Sequence, residues 1–216
     1  MRNGSLQTSF SGETILSGLD LNNFQVSLSG GSLSSGLKMY NGASLQSSGG
    51  ALLDIEEDVT IDGALVSGSA TLRRGVLIRG AKDENDKYSA SVLGEASIGK
   101  DSEIIDSQIY GNSILEGKVL VNDSSVGGSA KVSDGTIVRN NSIVRGSAVV
   151  HGLGAIIDNS KVYDNAVVSD GTKVLNGSEV RGDSYLDSFI TVNNSEIWGE
   201  AHISVNKSNV ECDGDF

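Results

Sequence analysis

The chain has 216 residues, with 28 glycines, no proline and a net charge of −12. Glycine at about twice its usual share of roughly 7% suggests a backbone-dominated fold, but the absence of proline excludes collagen and proline-rich linkers. The acidic balance excludes nucleic acid and anionic membrane surfaces as natural partners. A lone Cys212 permits no internal disulfide and no cysteine metal cluster.

No apolar run is long enough to span a membrane as a helix. The first residues, Met1 to Ser5, lack the apolar core of a signal peptide. The expected location is cytoplasmic or in a virion if Met1 is the native start, with the cell surface open otherwise.

Residues 1–32 are rich in Gly and Ser, with scattered aliphatics such as Ile15, Leu19 and Val26. They read as a cap, as distorted coils, or as a segment that pairs with another chain. From 33 to 210 a period of six dominates. Leu33, Met39 and Leu45 form one register, followed by Ile55 and Ile61, then by Val66, Leu72 and Ile78. The charged stretch at 81–90 breaks the period and reads as a loop ejected from one corner. Its contact residues would be Asp83, Lys87 and Tyr88. The register resumes at Val92, Ile98 and Ile104, then Ile109, Leu115 and Val121, with five-residue steps between the groups that tighten a corner.

From Val126 onward the period reads as unbroken through Val132, Val138, Val144, Val150, Ile156, Val162, Val168, Val174, Val180, Leu186 and Val192. Four residues after each of the first ten aliphatics stands a small residue, as in Ala130, Thr136, Ser142, Ala148, Gly154 and Ser160, and the pattern relaxes at Ile190 and Glu196. Pairs such as Asp134-Gly135, Asn140-Asn141 and Asn176-Gly177 lie between, and these residues tolerate the positive φ of tight bends. Residues 211–216 form an acidic tail.

A helix cannot use this period, because six residues turn it by about 600° and scatter the aliphatics round its surface. A strand uses a period of two, so the hexad reads as a short strand plus a corner. Three hexads close a triangular coil of about 18 residues, and coils stack by backbone hydrogen bonds along the axis. The recurrence of Ser133-Asp134-Gly135-Thr136 as Ser169-Asp170-Gly171-Thr172, two coils later, fits that length.

An aliphatic followed four residues later by a small residue, as in Val162-Tyr163-Asp164-Asn165-Ala166-Val167, resembles the hexapeptide-repeat family. The resemblance implies an all-β, single-stranded, left-handed parallel β-helix. It is closest to the densely repetitive, non-enzymatic branch of that family.

The family's acyltransferases hold a general-base His in a cleft between subunits of a trimer. Here His151 stands one residue past Val150, between Ser133 and Ser169 in register, which does not match that position, so it is a weak catalytic candidate. His202 reads as structural. The zinc enzymes of the fold need three His, and this chain has two; no metal is expected.

Stacking brings Arg145, Tyr163 and Arg181 onto one outer face, where a cation–π sandwich can form. It also places Asn140, Asp158, Asn176 and Asn194 on one corner as a side-chain ladder. Ile137, Ala155, Ile157 and Leu175 are expected to point outward as an apolar surface for a partner or for self-association into a homotrimer. The leading expectation is a non-catalytic rod that spaces or presents binding surfaces to a protein or saccharide, with no cofactor. The alternatives are an acyltransferase using acyl-coenzyme A and a carbohydrate-binding solenoid.

Overall fold

The computed structural model describes residues 54–56, 58–80 and 89–204, together with the strands Ser5–Ser9, Asp20–Leu21, Gln25–Ser29, Lys38–Tyr40, Ser44–Ser47 and Glu211–Cys212. Its short strands form three parallel sheets and no helix is present among these residues. One coil shows the plan. Ser125–Val126 lies on face 1, Lys131–Ser133 on face 2 and Ile137–Arg139 on face 3, and the chain returns to face 1 at Ile143–Val144. Faces 1 and 3 contain eleven strands each and face 2 contains nine. The molecule is a three-sided parallel β-solenoid.

Each inward aliphatic pairs with its counterpart one coil away. On face 1 the column runs Val66, Val92, Ile109, Val126, Val144, Val162, Val180 and Ile197. All are buried to within 1%. At about 25 cal/mol per Å2 of apolar surface removed from water, this continuous aliphatic column supplies the main driving force for stacking. Hydrogen bonds between coils then satisfy the backbone on every side.

The sheets extend beyond the regular repeat. Leu6 pairs with Val26, Val26 with Leu45 and Leu45 with Val66, so residues inside 1–32 add strands to face 1. At the other end Glu211–Cys212 pairs with Thr191–Val192 on face 3. Leu33 lies outside the described residues, as does the segment 81–88 with Asp83, Lys87 and Tyr88. The backbone on either side of that segment stays in place. Gly80 N–H donates to the Asp62 carbonyl at 2.8 Å, and Ala90 pairs with Ala64.

The register from Val126 to Val192 holds at eleven of the twelve aliphatics, each buried. The exception is Ile156. The inward residue is Ile157, which pairs with Val138 on one side and Val174 on the other, while Ile156 faces outward. An extra residue in Gly152-Leu153-Gly154 shifts the chain, and Ala155 replaces Gly154 in the small-residue position. Ile157 and Ala155 therefore belong to the core, and the expectation that they face outward fails. The opposite change occurs after Val192. A five-residue step brings Ile197 inward and puts Ser195, rather than Glu196, in the small position. Ile190 fills a small-residue site and is 1% exposed.

The corner from face 3 to face 1 obeys a simple rule. Six-residue steps contain two left-handed residues, as at Asn140 (φ 57°) and Asn141 (φ 62°). Five-residue steps contain one, as at Asp106 (φ 47°), Asp123 (φ 48°) and Asn159 (φ 48°). The missing residue is thus a missing bend, and Asp and Asn accept this region because their short side chains bond locally.

Serines inside that corner form a second ladder. Ser142 Oγ donates to its own coil's Arg139 carbonyl at 2.6 Å and accepts the Ser160 N–H at 3.2 Å. Ser124 Oγ accepts the Ser142 N–H at 3.0 Å, and Ser107 Oγ accepts the Ser124 N–H at 3.0 Å. A hydroxyl is the smallest group that can do both, so the buried backbone at this bend is satisfied without enlarging the core.

Candidate functional site

Two outer regions combine exposed functional side chains with defined geometry. The first is on face 1. The residue after each inward aliphatic forms an outward row of Tyr110, Gly127, Arg145, Tyr163, Arg181 and Trp198, one per coil and about 4.8 Å apart. The Arg145 guanidinium carbon lies 5.3 Å from the Tyr163 ring centre. Arg181 interacts with the Tyr163 phenol and also pairs with Glu196, with NH2 to Oε2 at 3.3 Å. Tyr110 lies across Gly127, where a side chain would meet its ring. Trp198, 56% exposed, ends the row.

Beside that row Lys161 Nζ donates to Glu179 Oε1 at 2.6 Å, and Tyr163 OH donates to Glu179 Oε2 at 2.8 Å. The ammonium of Lys161, then the phenol of Tyr163, hold the Glu179 carboxyl below its ordinary value of 4.5. Burial first, and then the bond to Glu179, push the Tyr163 phenol above 10.0, and Glu179 raises Lys161 above 10.5.

The signs follow from linkage. Glu179 contributes stability that is complete above about pH 4.5 and is lost as pH falls through its folded value. Lys161 and Tyr163 contribute below their ordinary values and lose that contribution as pH rises beyond them. Glu179→Gln should therefore lower stability at pH 7 by about 1 kcal/mol or less, as for a partly exposed ion pair. The difference from wild type should shrink as pH falls below about 4.5, as read by urea unfolding at pH 7 and at successively lower pH.

The corner ladder is also partial. Asn140 Nδ2 donates to Asp158 Oδ1 at 2.7 Å, and Arg139 Nε donates to Asp158 Oδ2 at 2.8 Å. Asn176 Nδ2 donates to Asn193 Oδ1 at 2.7 Å, so Asn193 rather than Asn194 continues the column. On face 3 the outward apolar row is Leu120, Ile137 and Ile156, all half-buried. Leu175 stands in the adjacent row between Asp158 and Asn193.

The second region lies at the corner from face 2 to face 3. A groove of about 820 Å3 runs across five coils there, lined in part by Lys118, Asp134, His151, Leu153, Asp170 and Phe189. His151 follows Val149–Val150 and is half-buried, in register with Ser133 and Ser169 as the period implies. Its N–H donates to the Val168 carbonyl at 2.9 Å, and its own carbonyl accepts the Asp170 N–H at 3.1 Å. His202 is exposed and packs edge-on against Tyr185, with ring centres 4.9 Å apart.

Asp134-Gly135 and Asp170-Gly171 bend this corner with two left-handed residues each. In the last of these coils the same two positions are Ser188 (φ 70°) and Phe189 (φ 60°). A large aromatic in the left-handed region costs about 1–3 kcal/mol. The Phe189 ring lies over Gly171 and remains 71% exposed. Two coils earlier the inserted Leu153 lies over Gly135 and is 81% exposed. The period alone did not reveal this groove; the only sequence signals were a Phe where the repeat has Gly, and a Leu between two glycines.

No protein-family model matches the chain, and no curated protein matches it significantly. The class it belongs to is therefore defined by its architecture, the three-sided parallel β-solenoid.

Proposed function

We propose that this chain is a non-catalytic β-helical rod of the hexapeptide-repeat kind, a spacer and binding scaffold that recognises partners through its outer faces. The observation that carries this reading is the face-1 row from Tyr110 to Trp198. A stack of coils in register turns one outward position per coil into a continuous stripe, here of rings and guanidinium groups. Coils bonded to their neighbours on all three faces resist bending, which suits a spacer. The flat rings and the Arg side chains also favour a second reading, in which the stripe takes a saccharide chain by stacking and hydrogen bonding.

Calorimetric titration separates these readings from the enzyme. Acetyl-coenzyme A is expected to give no saturable heat with the wild type, and soluble oligosaccharides are the ligands to compare with it. Saturable binding of the thioester that His151→Ala abolishes would replace the rod with an acyltransferase. Oligosaccharide heat lost in Tyr163→Ala would select the saccharide reading.

A further inference from the structure

We infer that the groove between Leu153 and Phe189 is a docking site for an extended peptide segment that carries an apolar side chain beside Lys or Arg. The inference specifies a partner chemistry within the binding-scaffold reading, at a different place from the face-1 stripe.

Three observations converge on this groove. First, the repeat is broken twice along this corner, once by the extra residue at Leu153 and once by Ser188-Phe189 where neighbouring coils have Asp-Gly. The breaks are 36 residues apart in the chain, yet the fold sets them two coils apart on one edge. Second, each break puts a large apolar side chain into solvent, 81% exposed for Leu153 and 71% for Phe189. A left-handed Phe strains the backbone without burying its ring in the core, and strain of that kind persists at ligand clamps. Third, the groove that both side chains line holds about 820 Å3 over its five coils. That is more than one side chain fills, and the two walls stand about 10 Å apart, the span of three extended residues.

Charge selects the occupant. Asp134 and Asp170 line the groove against one lysine, Lys118, and neither carboxylate makes an ion pair among the described residues. Asp134 Oδ2 accepts only a neutral hydroxyl, from Ser133 at 2.8 Å. A second copy of this chain, at −12, would bring like charge to an acidic groove. A basic segment brings the complementary sign, and an apolar anchor fills the space between Leu153 and Phe189.

The test uses fluorescein-labelled decapeptides with a central Trp, Phe or Leu flanked by two Arg on each side. Matched series replace the anchor with Ser or the Arg residues with Glu. Wild-type protein should bind the Arg-flanked apolar peptides, more weakly as salt rises, and should bind both matched series at least about tenfold less tightly. Phe189→Asn keeps a residue that accepts positive φ, so its thermal midpoint should hold or rise while affinity falls about tenfold or more. Leu153→Ser lies outside the core and provides a second loss-of-binding variant. No binding by the wild type up to about 1 mM peptide would overturn the inference. So would unchanged affinity in both variants, or equal binding of the Arg- and Glu-flanked series. Presence or absence of saccharide binding at the face-1 stripe would not affect these results, so the two readings fail independently.

Discussion

Ile157→Asp is expected to unfold the coils around it, whereas Ile156→Asp should change stability by about 1 kcal/mol or less. The two residues are adjacent and identical, and the six-residue period taken alone selects Ile156 as the inward one. Only their places in the register differ. Ile157 is fully buried between Val138 and Val174, and its side chain meets other aliphatics. A carboxylate there has no partner and no water, which costs on the order of 3–5 kcal/mol for an uncompensated buried charge. Ile156 is half-buried on face 3, with Ile137 on one side and Lys173 on the other. An Asp at that position stays in solvent and gains a nearby lysine. Urea unfolding together with hydrogen exchange of the coils between 138 and 174 measures both effects. The reverse ranking would restore the uninterrupted period.

Gly111→Ala should be nearly as damaging, at roughly 3 kcal/mol. Gly94, Gly111, Gly128 and Gly146 stack along the corner from face 1 to face 2, each with positive φ. A Cβ on Gly111 would lie 2.6 Å from the Gly128 carbonyl oxygen. That oxygen is backbone and accepts the Asn112 N–H at 2.7 Å, so it cannot move aside without loosening the contact between coils. The cost adds the strain of a left-handed Ala, about 1–2 kcal/mol, to that displacement. Gly177→Ala is the control. Its φ is 83°, but nothing lies within 4 Å of the added carbon, so only the conformational part should appear. Thermal unfolding of the two variants separates contact from conformation, and equal losses would dismiss the steric argument.

Much of this architecture is legible from the residues alone. The inward valines, the small residues four positions on and the Asp, Asn and Gly corners are all local preferences, and each states its own requirement. The reading of Gly152-Leu153-Gly154-Ala155-Ile156-Ile157 failed because it offers two small residues and two aliphatics side by side. A slip of one residue reverses which side chains face the core, yet leaves the hydrophobic pattern intact. Arg181 is legible in part. Stacking brings it to Tyr163, and a charged neighbour that the period does not reveal, Glu196, also pairs with its guanidinium.

That the chain coils, what lines its interior and where it bends follow from local preferences, since each depends on a residue and its near neighbours. Which outer residues meet is set by the stacking of the coils. Coil length varies from 17 to 19 in the regular part, as in Ile109 to Val126 and Val138 to Ile157. Each hydrogen-bonded neighbour therefore depends on the sum of all the steps between. That sum sets Leu153 and Phe189 on one edge and Tyr110 in line with Trp198, and the bonds between coils hold the result.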